Sequence, residues 1–161
     1  MTTTASPKSD PRLSARDPRL TGWRARLTAH TLLADRLDEE LRAESGLSIF
    51  EYSALLQLAE SPERRRRMSQ LADGILLTRS GVTRLIDRLV RDGLVERSQC
   101  LSDGRGAEAV LTQAGLDRLR AASKVHLRGI ERYYLDRVSA EDQATIARVM
   151  GDLVEGMRAE R

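Results

Sequence analysis

Four arginines and three hydroxyl side chains crowd the segment from Thr78 to Arg91. They are not spread evenly around it. Val82, Leu85, Ile86, Leu89 and Val90 recur at the i, i+3, i+4, i+7, i+8 spacing of one helix face, which leaves Arg79, Ser80, Thr83, Arg84, Asp87, Arg88 and Arg91 on the other. A row of guanidiniums and hydroxyls on a helix can grip a polyanion. Arginine donates in a fork that matches O6 and N7 of guanine, and serine or threonine hydroxyls reach base edges or phosphate oxygens. Arg79, Ser80, Thr83 and Arg84, in the first half of the helix, are therefore candidates for base contact. Arg88, one turn further on, is a candidate for phosphate. The competing use of Arg84 and Arg88 is pairing with Asp87 or Asp92 along the same helix. Ser69 and Thr78 each stand where they can cap a helix, and the amides of a capped N-terminus favour an anion.

Other chemistries find few groups to work with. There is no Gly-x-Ser-x-Gly, no phosphate-cradling glycine loop and no histidine pair at metal-ligand spacing, so neither an enzyme nor a cofactor is expected. Cys100 is the one cysteine, which excludes an intrachain disulfide and leaves a thiol-based redox sensor only as an alternative reading. His30 and His126 fall on helical stripes, where packing is the more ordinary role. No run of about 20 apolar residues suggests a membrane span, and no signal-peptide pattern opens the chain, so a soluble cytoplasmic protein is expected. The net charge of +3 is modest, but residues 61 to 105 hold ten arginines against six carboxylates. Basic charge is thus concentrated around the candidate helix.

The elements that must position these residues can be drawn from periodicity and punctuation. Residues 1 to 20, rich in Thr, Ser, Pro and charge, read as a disordered arm containing a small echo, Asp10-Pro-Arg-Leu-Ser and Asp17-Pro-Arg-Leu-Thr. Trp23, Leu27, His30, Ala34, Leu37 and Leu41 form the stripe of a first helix. Ser48-Ile-Phe-Glu51 is a capping box flanked by the staple pair Leu47 and Tyr52, so a second helix runs from about 48 to 60. A break at Ser61-Pro62 and the run Arg64 to Arg67 precede a short helix carrying Leu71, Ala72 and Ile75. Leu76-Leu77 turns the chain into the arginine-bearing helix, and Gly93 ends that helix with Leu89 and Leu94 at the touching positions of a Schellman motif. Leu94 to Gln99 and Ala107 to Leu111, separated by Ser102-Asp-Gly-Arg-Gly106, predict a β-hairpin. A long helix over about 113 to 137 follows, and Ser139-Ala-Glu-Asp142 opens a last one with Ile146, Val149, Met150, Leu153, Val154 and Met157.

A short helix, a tight turn, a second helix and then a hairpin is the order of a winged helix-turn-helix, here over residues 61 to 112. The fold expected is mainly α with a small β-hairpin wing. The stretch Met68-Ser-Gln-Leu-Ala, then Thr78 through Arg97, resembles the MarR family of regulators. The wing Ser102-Asp-Gly-Arg-Gly106, followed by Ala109-Val-Leu-Thr112 and Gly115, is similar to that family's Asp-x-Arg wing and its Leu-Thr-x-x-Gly sequence. The resemblance covers about residues 23 to 158 and is most specific from 68 to 115. It implies a single domain over 21 to 158, with dimerisation helices at 21 to 45 and 113 to 158 that interlock across a two-fold axis. It also implies that Arg105 enters the minor groove while Asp103 holds the wing or orients an arginine. The partners implied are a second copy of the chain, duplex DNA with a pseudo-palindromic operator, and a small aromatic or phenolic effector that releases a repressor. The rival reading is a winged helix that binds protein and has lost sequence-specific DNA binding; the outward Arg79, Arg84 and Arg105 weigh against it.

Overall fold

The computed structural model describes residues 14–75, 77–99 and 107–160. Its elements run α1 (Thr21–Ser45), α2 (Ile49–Ala59), β1 (Arg65–Arg67), α3 (Met68–Ile75), α4 (Arg79–Arg91), β2 (Val95–Gln99), β3 (Ala107–Leu111), α5 (Gln113–Tyr133) and α6 (Ala140–Ala159). Short 3-10 turns at Pro18–Leu20, Pro62–Arg64 and Leu135–Arg137 complete the order. The chain divides into two compact units, Met1–Leu32 and Leu33–Arg161. In the first, the later Asp-Pro-Arg-Leu copy makes a capped turn: the Asp17 carboxylate accepts from the amide of Arg19 at 2.9 Å and from its guanidinium at 2.8 Å.

The core of the second unit is aliphatic. Leu41, Leu55, Leu58, Leu71, Ile86 and Leu89, from four different helices, are fully buried, each a side chain whose burial is worth about 1.5–3 kcal/mol. The helix ends obey local rules. Gly46 takes the left-handed conformation at φ 71° and stops α1, its amide donating to the Arg42 carbonyl at 3.1 Å. Ser48 caps α2 with both halves of the predicted capping box in place, and the staple residues Leu47 and Tyr52 are buried. Ser139 caps α6 by accepting from the Asp142 amide.

The expected hairpin is part of a larger sheet. Three antiparallel strands lie in the order β1-β3-β2, with Arg66 and Arg97 both opposite Ala109 and Val95 opposite Leu111. An all-arginine triplet shows no apolar alternation, so β1 gave no strand signal; backbone pairing holds it, and Arg65 lies 3.5 Å from the carboxylate of Glu108. This strand also changes the role expected of Ser69. Because the chain passes from β1 directly into α3 at Met68, Ser69 sits inside the first turn and is not the cap; the Arg67 amide instead donates to Oε1 of Gln70 at 3.3 Å. The long helix is shorter than its spacing suggests, giving way after Tyr133 to the tighter turn Leu135–Arg137. Close approach seats α5 against the second half of α1: Arg118 donates to the Ser45 carbonyl at 2.8 Å, and the Tyr133 hydroxyl donates to Glu40 at 2.6 Å.

Candidate nucleic-acid interface

The arginine-bearing helix α4 is fixed at both ends by its own sequence. At the start, Thr78 Oγ1 accepts from the Gly81 amide at 3.1 Å, as its position predicts. At the end, Gly93 adopts φ 71° and the Schellman pattern is complete: the Leu94 amide donates to the Leu89 carbonyl at 2.9 Å and the Gly93 amide to Val90 at 3.0 Å. Val82, Leu85, Ile86 and Leu89 are buried as the periodicity requires.

Thr112 then ties this helix stop to the base of α5. Its hydroxyl accepts from the Gly115 amide at 3.0 Å, which caps α5, and donates to the Gly93 carbonyl at 2.8 Å. Its amide donates to the Leu94 carbonyl at 3.2 Å. Gly115 allows the approach, since a Cβ there would stand 2.1 Å from the Leu94 carbonyl oxygen. The Leu-Thr-x-x-Gly sequence is thus a joint between the arginine helix and the long helix.

Two ion pairs hold the flanks of α4. On one side Arg88 Nη1 lies 3.1 Å from Oε1 of Glu51, the buried capping-box carboxylate of α2. On the other, Asp87 Oδ1 lies 2.7 Å from Arg97 Nη2 on β2. Neither pair follows from helical spacing, and Arg88 does not take Asp87 or Asp92, the competing partners offered by its own helix. The outward face between them is open. Arg79, Ser80, Thr83 and Arg84 are exposed. Ser80 Oγ is 3.2 Å from Thr78 Oγ1, and the Thr83 hydroxyl donates to the Arg79 carbonyl at 3.0 Å. Among the described residues no hydrogen bond or ion pair engages the guanidinium of Arg79, Arg84 or Arg91. Met68, Ser69, Arg79 and Thr83 line a cleft of about 300 Å³ where the starts of α3 and α4 meet. Asp103, Arg105 and Cys100 lie outside the described residues.

Behind α4, the corner between α1 and α2 is tightly bonded. Asp38 Oδ1 accepts from the Ile49 amide at 2.7 Å, and Oδ2 from Arg42 Nε at 2.6 Å. Burial pushes the Asp38 carboxyl up, but the Arg42 guanidinium and the Ile49 amide outweigh it and hold it below the ordinary carboxylate value. His126 packs half-buried on Tyr52, ring centroids 4.5 Å apart, and burial lowers its pKa. The Tyr52 hydroxyl reaches Ser123 at 3.4 Å, and His30 is exposed. Among the described residues no group of three or more metal-ligating side chains comes together, and no helix is long and apolar enough to cross a membrane.

Comparison with known proteins agrees with this architecture. A family model described as the MarR family matches residues 45–106. The HTH-type transcriptional repressor YetL of Bacillus subtilis is 30% identical over 117 residues, 73% of this chain and 70% of that protein. Among solved structures, the MarR family transcriptional regulator Sco3205 of Streptomyces coelicolor, in complex with DNA, is 36% identical with a TM-score of 0.84 and 92% of each chain covered. AbsC, a MarR family transcriptional regulator of the same organism, is 31% identical with a TM-score of 0.83, covering 91% of this chain and 99% of its own. This chain belongs to the MarR family of transcriptional regulators.

Proposed function

We propose that the protein is a homodimeric, cytoplasmic transcriptional regulator that binds double-stranded DNA in a sequence-dependent way and acts as a repressor. The observation that carries this reading is the open face of α4: Arg79 and Arg84 are exposed and, among the described residues, free of carboxylate partners, on a helix whose ends and flanks are fixed. A rigid helix with free guanidiniums enters the major groove at little ordering cost and can donate to guanine in a bidentate fork. Arg79, Ser80, Thr83 and Arg84 take the base edges, and the capped start of α4 at Thr78 presents amides to a phosphate. By family resemblance, Arg105 reaches the minor groove with Asp103 supporting the wing, and a small aromatic or phenolic effector releases the operator by binding the two arrangements of the dimer unequally. The DNA complex of the Sco3205 relative and the repressor role of YetL support the same reading.

Dimerisation is supported by α6. None of its residues is buried within one chain, and Ile146, Val149, Leu153, Val154 and Met157 are all exposed along one stripe. Such a contiguous apolar face is a surface to be covered by a partner. Two recognition helices related by a two-fold axis then meet successive major grooves about 34 Å apart. The test is fluorescence anisotropy of the full chain against the intergenic DNA beside its own gene and against a scrambled duplex, at two salt concentrations. Tight, salt-sensitive binding that prefers the intergenic duplex is expected. Equal weak binding to that duplex, the scrambled one and a genome-wide pool of fragments would refute sequence-dependent binding.

A further inference from the structure

Glu51 is a charged side chain at only 4% exposure, and its neighbours account for both of its oxygens. Oε2 accepts from the Ser48 amide and the Ser48 hydroxyl, each at 2.8 Å. That locks the carboxylate against the N-terminus of α2. Oε1 points across to α4 and accepts from Nη1 of Arg88 at 3.1 Å. A capping box needs only the first set of bonds. The second joins residues 37 positions apart and places a buried negative charge beside the recognition helix.

Arg88 has capacity left after this contact. A guanidinium carries five N–H donors, of which Glu51 takes one, and the Arg88 side chain is still 52% exposed. An unanchored arginine on a helix flank loses much rotamer freedom when it grips a phosphate. One end of this guanidinium is already held by an acceptor that cannot turn away, because its other oxygen is fixed to the backbone of α2. The remaining donors stay on the exposed side chain, on the same helix that carries Arg84.

We infer that Glu51 is a positioning residue for DNA binding: its carboxylate, fixed by the α2 capping box, orients Arg88 for a backbone phosphate and sets the seat of the recognition helix. The inference rests on the DNA-binding reading above. It extends the capping-box glutamate from a helix-end device to a part of the DNA grip.

The test is a double-mutant cycle on the full-length protein: wild type, Glu51→Gln, Arg88→Ala and the pair, titrated against the preferred duplex at two salt concentrations. Glutamine at 51 keeps one acceptor oxygen for the Ser48 amide but puts an NH2 donor where Oε1 accepted from Arg88, so it removes both the charge and the bond to Arg88. Glu51→Gln is expected to weaken binding by roughly three- to tenfold, in the lower part of the range over which contacting residues couple, and to cost less than about twofold when Arg88 is already alanine. Arg88→Lys keeps the charge without the planar fork, so its salt slope should stay near that of wild type while its affinity falls. Thermal melts of each variant identify any loss that comes from unfolding, and Arg88→Met, which keeps an apolar stem and no donor, with and without Glu51→Gln repeats the comparison in a second background. An equal loss from Glu51→Gln in both backgrounds, or no loss at all, overturns the inference. Tighter binding of Glu51→Gln also overturns it, because Glu51 would then be competing with phosphate for Arg88. If wild type binds no duplex, the DNA-binding reading itself fails, which the wild-type arm reports separately.

Discussion

Replacing Gly115 with alanine adds one carbon at the joint between α4 and α5, and its cost can be worked from the neighbours. The new Cβ would lie 2.1 Å from the Leu94 carbonyl oxygen and 2.7 Å from Leu111 Cδ1. Carbon and carbonyl oxygen rest at about 3.3 Å or more even in their closest favourable contacts, so roughly 1 Å of separation must be found. The carbonyl cannot readily give way. It accepts from the Thr112 amide, while the Leu94 amide is held by Leu89 in the Schellman pattern. The first turn of α5 must therefore lift, straining the bonds from Thr112 to Gly93 and Gly115. Overpacking of this kind costs about 1–3 kcal/mol, and a backbone neighbour favours the upper part of that range. Alanine returns at most about 1 kcal/mol of helix propensity. The net is a destabilisation of about 2 kcal/mol, which for a chain of this size lowers Tm by roughly 4–8 °C. Circular dichroism melts at one fixed protein concentration measure it, since a dimer's Tm depends on concentration. Gly93→Ala is the comparator: nothing lies within 4 Å of its Cβ, so it carries only the left-handed backbone cost of about 1–2 kcal/mol. A Gly115→Ala protein that melts at or above wild type would refute the account of this joint.

Four further outcomes are expected. Arg84→Ala should weaken binding to the preferred duplex by about 1–3 kcal/mol and relax sequence preference, so equal losses on preferred and scrambled duplexes would remove Arg84 from base contact. Asp38 is held below the ordinary carboxylate value of about 3.9, so its contribution to stability is present above that value and lost as pH falls through the lower folded-state value. Acid unfolding followed by circular dichroism should therefore be shallower for Asp38→Asn than for wild type below about pH 4. For His126 burial disfavours the charged form, so the unfolded chain takes up its proton first and stability falls as pH drops below about 6.5. The Tm difference between pH 7.5 and pH 5.5 should shrink in His126→Gln, and an unchanged difference would remove His126 as a contributor. Leu153→Asp, in the middle of the exposed stripe of α6, should shift sedimentation equilibrium toward monomer, whereas a dimer as tight as wild type would place the interface elsewhere.

What was legible in the sequence was what the sequence encodes locally. The capping box at Ser48, the Thr78 and Ser139 caps, the Schellman stop at Gly93 and the buried stripe of α4 are each set within a few residues, and all stand where spacing put them. Failures came where the determinant was distant. Three consecutive arginines have no period, and only pairing with Ala109 and its neighbours makes β1 a strand. Ser69 has the chemistry of a cap, but the strand before it carries the helix start back to Met68. Arg88 was legible as a basic residue on the flank of the recognition helix; that its first partner is Glu51, on another helix, was not, because the contact exists only after the core has brought α2 and α4 together. Asp87 found Arg97 on β2 for the same reason.

The clamp at Thr112 also has a mechanical side. The first residue before the long helix grips the last carbonyls of the recognition helix's stop, with no slack left by Gly115. At 21 residues, α5 is a stiff rod about 30 Å long. Its base and the reading helix therefore turn as one piece, like a handle welded to a key. In the proposed dimer on DNA, a tilt of the handle at its far end, where Tyr133 meets Glu40, would swing the key at the other, so the spacing between two such keys would be set at a distance from the groove they enter.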